Sequence, residues 1–174
     1  MSNRLEVSRK QRIIGNALSV AILLAALVVI VLSYYGVIGL SFGESVVPVV
    51  LAGVGLVFFA TALVQINPVS MWMAFAFLVP AAISFAVNLS DATYGLLYPL
   101  YIATPGIGCL AAMAYGKGIL SLLKGAGVFI AAAVIFALHS FGVIEMWLTL
   151  VIFFAYVLVL ASYVIIYLGK GERK

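Results

Sequence analysis

The sequence predicts an all-α integral membrane protein of six transmembrane helices, set as three antiparallel hairpins in one domain, and three observations carry that expectation. Two-thirds of the 174 residues are hydrophobic and only 8% are charged. A soluble domain keeps about a quarter of its residues charged and has too little interior to hide such a chain. The apolar residues gather in six runs with short polar connections, each near the roughly 20 residues a helix needs to cross the hydrocarbon core. Finally, all nine Lys and Arg lie in three short segments beside these runs, the arrangement that fixes orientation in a bilayer.

The first run, 13–35, follows a basic segment holding Arg4, Arg9, Lys10 and Arg12. A basic start before an apolar run also describes a signal peptide. This run is too long for a signal core and ends without a convincing small-x-small cleavage site, so a retained first span is expected. Span two, 46–66, carries Pro48 in its first turn, where a missing N–H costs nothing. The turn Gln65-Ile66-Asn67-Pro68-Val69-Ser70 leads to span three, 71–89, with Trp72 at interface depth. Asn-Pro turns cap half-helices in water and glycerol channels, but those need two copies within the membrane, and this single copy reads as a surface turn. Span four, 94–115, and span five, 119–139, are separated by a Gly-rich turn that Lys117 and Lys124 flank. Span six, 147–168, ends in the basic tail Lys170, Arg173 and Lys174.

Six spans put both termini on one side. With that side cytoplasmic, all nine basic residues fall on it, and the three opposite tips carry no Lys or Arg, as the positive-inside rule requires. A multi-pass protein of the cytoplasmic membrane with both ends inside is therefore expected. The net charge of +4 reads as a topology signal, so no nucleic-acid partner is expected. The N-terminal basic segment is also placed to lie on an anionic leaflet, at roughly 1 kcal/mol per Lys or Arg near the surface. The one cysteine, Cys109, lies inside an apolar run, which excludes an intrachain disulfide and speaks against a Cys-based metal site.

The chain repeats itself. Residues 25–40, AALVVIVLSYYGVIGL, match 131–146, AAAVIFALHSFGVIEM, at seven of sixteen positions without a gap. The middle hairpin shares the plan through Tyr98-Pro99-Leu100, which opens its return arm as Val47-Pro48-Val49 opens the first. Threefold internal repetition is one reading, and the shared composition of apolar helices is the other. Under the first, each tip carries one acid, Glu44, Asp91 or Glu145, and three carboxylates on a rim beside His139 would gather cations or a basic partner. Under the second, outer loops merely tolerate acids. The segments Tyr35-Gly36-Val37-Ile38, Tyr98-Pro99-Leu100 and Phe141-Gly142-Val143-Ile144 resemble the transmembrane hairpins of LiaI/LiaF-type bacterial envelope-stress proteins. That resemblance implies a small regulator or scaffold of a bacterial-type envelope, although this chain lacks the soluble portion that would bind a partner kinase.

Spans three and four hold interior prolines, Pro80, Pro99 and Pro105, which free backbone carbonyls that a neighbour, a hydroxyl such as Thr104 or water must satisfy in lipid. Broken helices of this kind line transporter sites and also serve as plain kinks. Small residues at Gly53, Gly55, Ala82, Ala86, Ala112, Gly116, Gly127 and Ala131 suit close helix contacts within or between chains, and Asn16 suits an interhelical hydrogen bond. The pattern holds no His-Glu-x-x-His, Gly-x-Ser-x-Gly or phosphate loop, and no Asp, Glu or Arg at mid-bilayer depth, where ionisable groups mark ion pathways. Neither an enzyme nor a bound cofactor is expected. The expected partners are the lipid bilayer and another integral membrane protein, or a second copy of this chain. The first functional expectation is a non-catalytic scaffold or regulator. The second is a small-solute-binding importer subunit, which the six-span size and the Ala21-x-x-x-Ala25 patch resemble in energy-coupling-factor systems. Its pocket would draw on Asn88, Asp91, Tyr101, Thr104 and His139, and a cavity ringed by those side chains would separate it from the scaffold.

Overall fold

The computed structural model describes residues 9–39, 41–90, 93–115 and 118–171. Arg4, Asp91, Gly116, Lys117, Arg173 and Lys174, all singled out above, lie outside the described residues. Six α-helices follow one another: α1 (Arg9–Tyr34), α2 (Phe42–Gln65), α3 (Pro68–Leu89), α4 (Tyr94–Met113), α5 (Ile119–Ser140) and α6 (Met146–Gly171). All six are long and apolar enough to cross a bilayer, and the protein is an all-α polytopic membrane protein. Consecutive helices run antiparallel: Gly15 near the start of α1 faces Val64 near the end of α2. The turns α2–α3 and α4–α5 therefore share one end with the chain termini, the termini end. The other three loops lie at the opposite, tip end.

Local chemistry explains where the helices start and stop. Ser41 and Glu44 form a reciprocal capping box, the Glu44 carboxylate accepting from the Ser41 backbone N–H at 3.0 Å, so α2 begins at Phe42. This moves Pro48 out of the first turn, where the sequence reading placed it, into the second, where its missing N–H leaves a carbonyl to be satisfied. At the start of α3 the Asn67 side chain accepts from the Val69 N–H at 3.0 Å, with Pro68 as the first helical residue.

The repeated Gly-Val-Ile has a local reason too. Gly36 and Gly142 adopt φ of 69° and 71°. At each, the following valine's N–H reaches back to a carbonyl five residues earlier, Val37 to Leu32 and Val143 to Leu138, both at 2.9 Å. The glycine N–H bonds the carbonyl of Ser33 in one and His139 in the other. These bonds make a Schellman cap at each end. Because a Cβ is disfavoured at positive φ, Gly36→Ala and Gly142→Ala should each lose about 1 kcal/mol of stability, measured by SDS-titrated unfolding in detergent. Gly127→Ala, whose added Cβ meets nothing within 4 Å, should lose none.

Each helix packs against its predecessor and its successor in the chain. Among the described residues no other pair of helices comes into backbone contact, which makes an open row rather than a closed bundle. Burial follows the row: a third of the most apolar window is buried in α2, α3 and α4, but only 6% in the edge helices α1 and α6. The contacts are made by small side chains, among them Ala62, Ala74, Ala81, Ala103, Ala112 and Ala126. In lipid, where apolar burial gives no advantage over the acyl chains, helix association depends on such close van der Waals fit. Gly55 faces Leu78, Gly106 faces α5 and Gly108 faces Trp72. Of the small residues expected at contacts, Gly53, Gly55 and Ala112 are buried, whereas Ala82, Ala86 and Gly127 face outward. Their neighbours Ala81 and Ala126 take the contact positions instead.

Candidate functional site

The tip end concentrates the polar chemistry, and most of it starts from missing or shared backbone donors. Pro48 cannot donate to the carbonyl of Glu44, four residues earlier, and the Asn88 side-chain amide, from the end of α3, donates to that oxygen. Pro99 likewise releases the carbonyl of Gly95, and the Ser140 hydroxyl, from the end of α5, donates to it at 3.1 Å. At the third return arm Thr149 stands in the proline's place. Both its N–H, at 3.0 Å, and its hydroxyl, at 3.1 Å, donate to the carbonyl of Glu145. All three residues at these positions are buried, Pro48, Pro99 and Thr149. Thus polar side chains close the gaps that prolines leave in two helix starts, as a bilayer requires of free carbonyls, and at the third a hydroxyl adds to an intact helical bond.

The sequence-predicted residues take up the following places. Glu44 is exposed, and its carboxylate is engaged by Ser41, whose hydroxyl donates at 2.7 Å. Glu145 is also exposed, and its carboxylate accepts from the Trp147 indole N–H. Asp91 is outside the described residues. Asn88 is held on the Glu44 carbonyl, which among the described residues is the one hydrogen bond between two predicted site residues. The Tyr101 hydroxyl lies 3.5 Å from that of Ser84. Thr104 is buried and donates to the Leu100 carbonyl at 3.0 Å. It therefore does not serve the Tyr101 carbonyl that Pro105 frees, the role the sequence reading gave such a hydroxyl. His139 places Nδ1 3.2 Å from the Ile144 carbonyl oxygen and so ties the α5–α6 loop onto its helix. Asn16 is exposed on α1.

Ser140, Thr149 and Trp72 were not singled out for these contacts by the sequence. Trp72, expected as an interface aromatic, donates its indole N–H to the Pro105 carbonyl at 3.1 Å and lies against Gly108. The usable signal was the rule that a helix proline orphans the carbonyl four residues back. That rule names Glu44 and Gly95 as acceptors, but not the side chains that answer them. Among the described residues, every buried side-chain polar atom has a partner.

Among the grooves that open along the row, three are described by their lining. One, about 300 Å³, runs between α1 and α2 and is lined by Ala25, Ala26, Ala52, Gly53 and Phe85 among others. The second, about 350 Å³, lies at the termini end beside Pro68, Trp72, Gly118 and Ser121. The third, about 560 Å³, separates α5 from α6 and includes Lys124 and Tyr163. None of the three is lined by Asn88, Tyr101, Thr104 or His139. Among the described residues, no three of His, Cys, Asp and Glu gather as metal ligands would. No family model matches the chain, and no curated protein or solved structure matches it either.

Proposed function

We propose that this chain is a non-catalytic scaffold or regulator of the cytoplasmic membrane that works through helix contacts with another integral membrane protein or a second copy of itself. The observation that carries the reading is the edge helix α1. Only 6% of its most apolar window is buried, and the groove beside it is lined by the small residues Ala25, Ala26, Ala52 and Gly53. A ridge of a partner helix fits such a groove, because small residues let backbones approach and interhelical packing drives association in lipid. The polar candidates support the same reading, since Asn88, Thr104 and His139 each spend hydrogen bonds within the chain.

Threefold repetition belongs to this proposal. It is supported by the carbonyls of Glu44, Gly95 and Glu145, spaced 51 and 50 residues apart, each accepting from a polar side chain. In that register the middle counterpart of Glu44 and Glu145 is Gly95, not Asp91. The Gly-Val-Ile match carries less weight, because a Schellman cap asks for glycine wherever it occurs. Both termini are assigned to the cytoplasm, on the strength of the nine basic residues gathered toward the termini end. The likeness to LiaI/LiaF-type hairpins fits this placement.

Purification from native membranes with identification of bound proteins tests the reading. An integral membrane protein should co-purify and be lost from Ala25→Trp, which fills the α1–α2 groove. It should be retained by Leu158→Trp, on the exposed face of α6. The importer-subunit reading keeps one point in its favour, because Ala21 and Ala25 are both exposed on α1. A coupling ATPase among the bound proteins would establish that reading and end the first.

A further inference from the structure

The contact between α5 and α6 is uneven along its length. At the tip end the two helices are tied closely: Thr149 is fully buried and the rings of Phe136 and Phe153 lie 5.1 Å apart. A further tie is the Tyr156 hydroxyl, which donates to the Val128 carbonyl at 2.8 Å. Around this tie the helices leave the groove of about 560 Å³, lined by Gly125, Val128, Ala131, Tyr163 and Val164. Gly127, on the same wall, has no heavy atom within 4 Å of where a Cβ would stand.

The length and the charge of this groove say what fills it. The α5 wall of the groove, from Lys124 to Ala131, is about 10 Å of helix rise. That fits within one leaflet of a hydrocarbon core about 30 Å thick, and a transmembrane partner helix would need the full thickness. Lys124 lies at the groove's mouth, about 8 Å from the start of α5, and it is the one charged side chain in the lining of the three grooves. Among the described residues the carboxylates are Glu44 and Glu145, both at the tip end. An ammonium at that depth reaches toward the interface and seeks an anion.

We propose that the α5–α6 groove binds an anionic phospholipid of the termini-side leaflet, with an acyl chain lying along Gly125–Ala131 and the headgroup phosphate on Lys124. The site is separate from the α1 groove, and its test does not depend on whether a protein partner exists.

The test uses the full chain in nanodiscs of equal parts phosphatidylcholine and phosphatidylglycerol. A trace of either lipid carries a photoreactive diazirine in its acyl chain, and the crosslinked peptides are mapped by mass spectrometry. The phosphatidylglycerol probe should label 125–131 and 156–164 in preference to the phosphatidylcholine probe. Lys124→Gln should reduce that labelling about fivefold, the factor expected for one basic residue near an anionic headgroup. It should leave the phosphatidylcholine probe unchanged, and Lys124→Arg should retain the preference. Gly127→Leu, which fills the groove, should remove labelling by both probes. Equal labelling by the two probes, or labelling by phosphatidylglycerol unchanged in Lys124→Gln, overturns the proposal. Label absent from both stretches, with a second copy crosslinked across them instead, overturns it as well.

Discussion

Gly106→Val and Gly108→Val should each cost about 3 kcal/mol or more, the upper range for forcing extra carbons into a packed contact, and should be the most damaging single changes in the chain. Helix α4 is held between α3 and α5, and these two glycines face its two neighbours. At Gly106 a Cβ would stand 3.0 Å from the Ala126 carbonyl oxygen and 3.1 Å from Phe129 Cβ. Both are fixed by the α5 backbone, so the helices themselves would have to separate. At Gly108 a Cβ would stand 2.9 Å from Trp72 Cδ1 and 3.0 Å from the Trp72 carbonyl oxygen. The indole would be displaced, and with it the hydrogen bond to Pro105. The two variants are separable by readout. Gly108→Val should blue- or red-shift Trp72 fluorescence in a Trp147→Phe background, while Gly106→Val should leave it in place until unfolding. SDS-titrated unfolding gives the stability loss. A cost below about 1 kcal/mol at either position would mean that the α3–α4–α5 contacts are looser than drawn.

The six helices were legible because a bilayer demands a simple pattern: long apolar runs and basic residues held to one end. Their starts were less so. Pro48 was read as a first-turn proline, while Ser41 and Glu44, three residues apart just before an apolar run, already carried the capping-box spacing that starts α2 earlier. The open row was not legible at all. A lipid-facing helix surface and a helix-facing one are both apolar, so hydropathy cannot tell an edge helix such as α1 from a central one such as α3. The same degeneracy put Ala82 and Ala86 at contacts that Ala81 occupies, because a run of alanines offers several registers of equal composition. The polar candidates were visible as residues, but their partners are 44 and 45 positions away for Asn88 and Ser140, distances over which no spacing rule operates. In space, the Asn88 and Ser140 side chains at the tip end are organised around backbone carbonyls.

That last point makes a prediction whose sign is unusual: removing a proline should make its neighbour dispensable. Asn88→Ala deprives the Glu44 carbonyl, on an exposed residue, of its donor and should cost about 1 kcal/mol, the net worth of an ordinary hydrogen bond. In a Pro48→Ala background residue 48 regains its N–H, which can close the ordinary helical bond to Glu44, so Asn88→Ala should then cost less than half as much. Ser140→Ala and Pro99→Ala form the same cycle around the Gly95 carbonyl. The two cycles should behave alike, because both carbonyls lie in the first turn of their helices. Pro48→Ala alone also removes ring packing from a buried site, but that loss appears in both arms of the cycle and cancels. The double-mutant coupling, read from unfolding free energies of the four proteins in each cycle, isolates the bond. An equal cost for Asn88→Ala with and without Pro48 would show that the amide packs beside α2 without answering the missing N–H. The structural equivalence of the helix starts would then lose its physical basis.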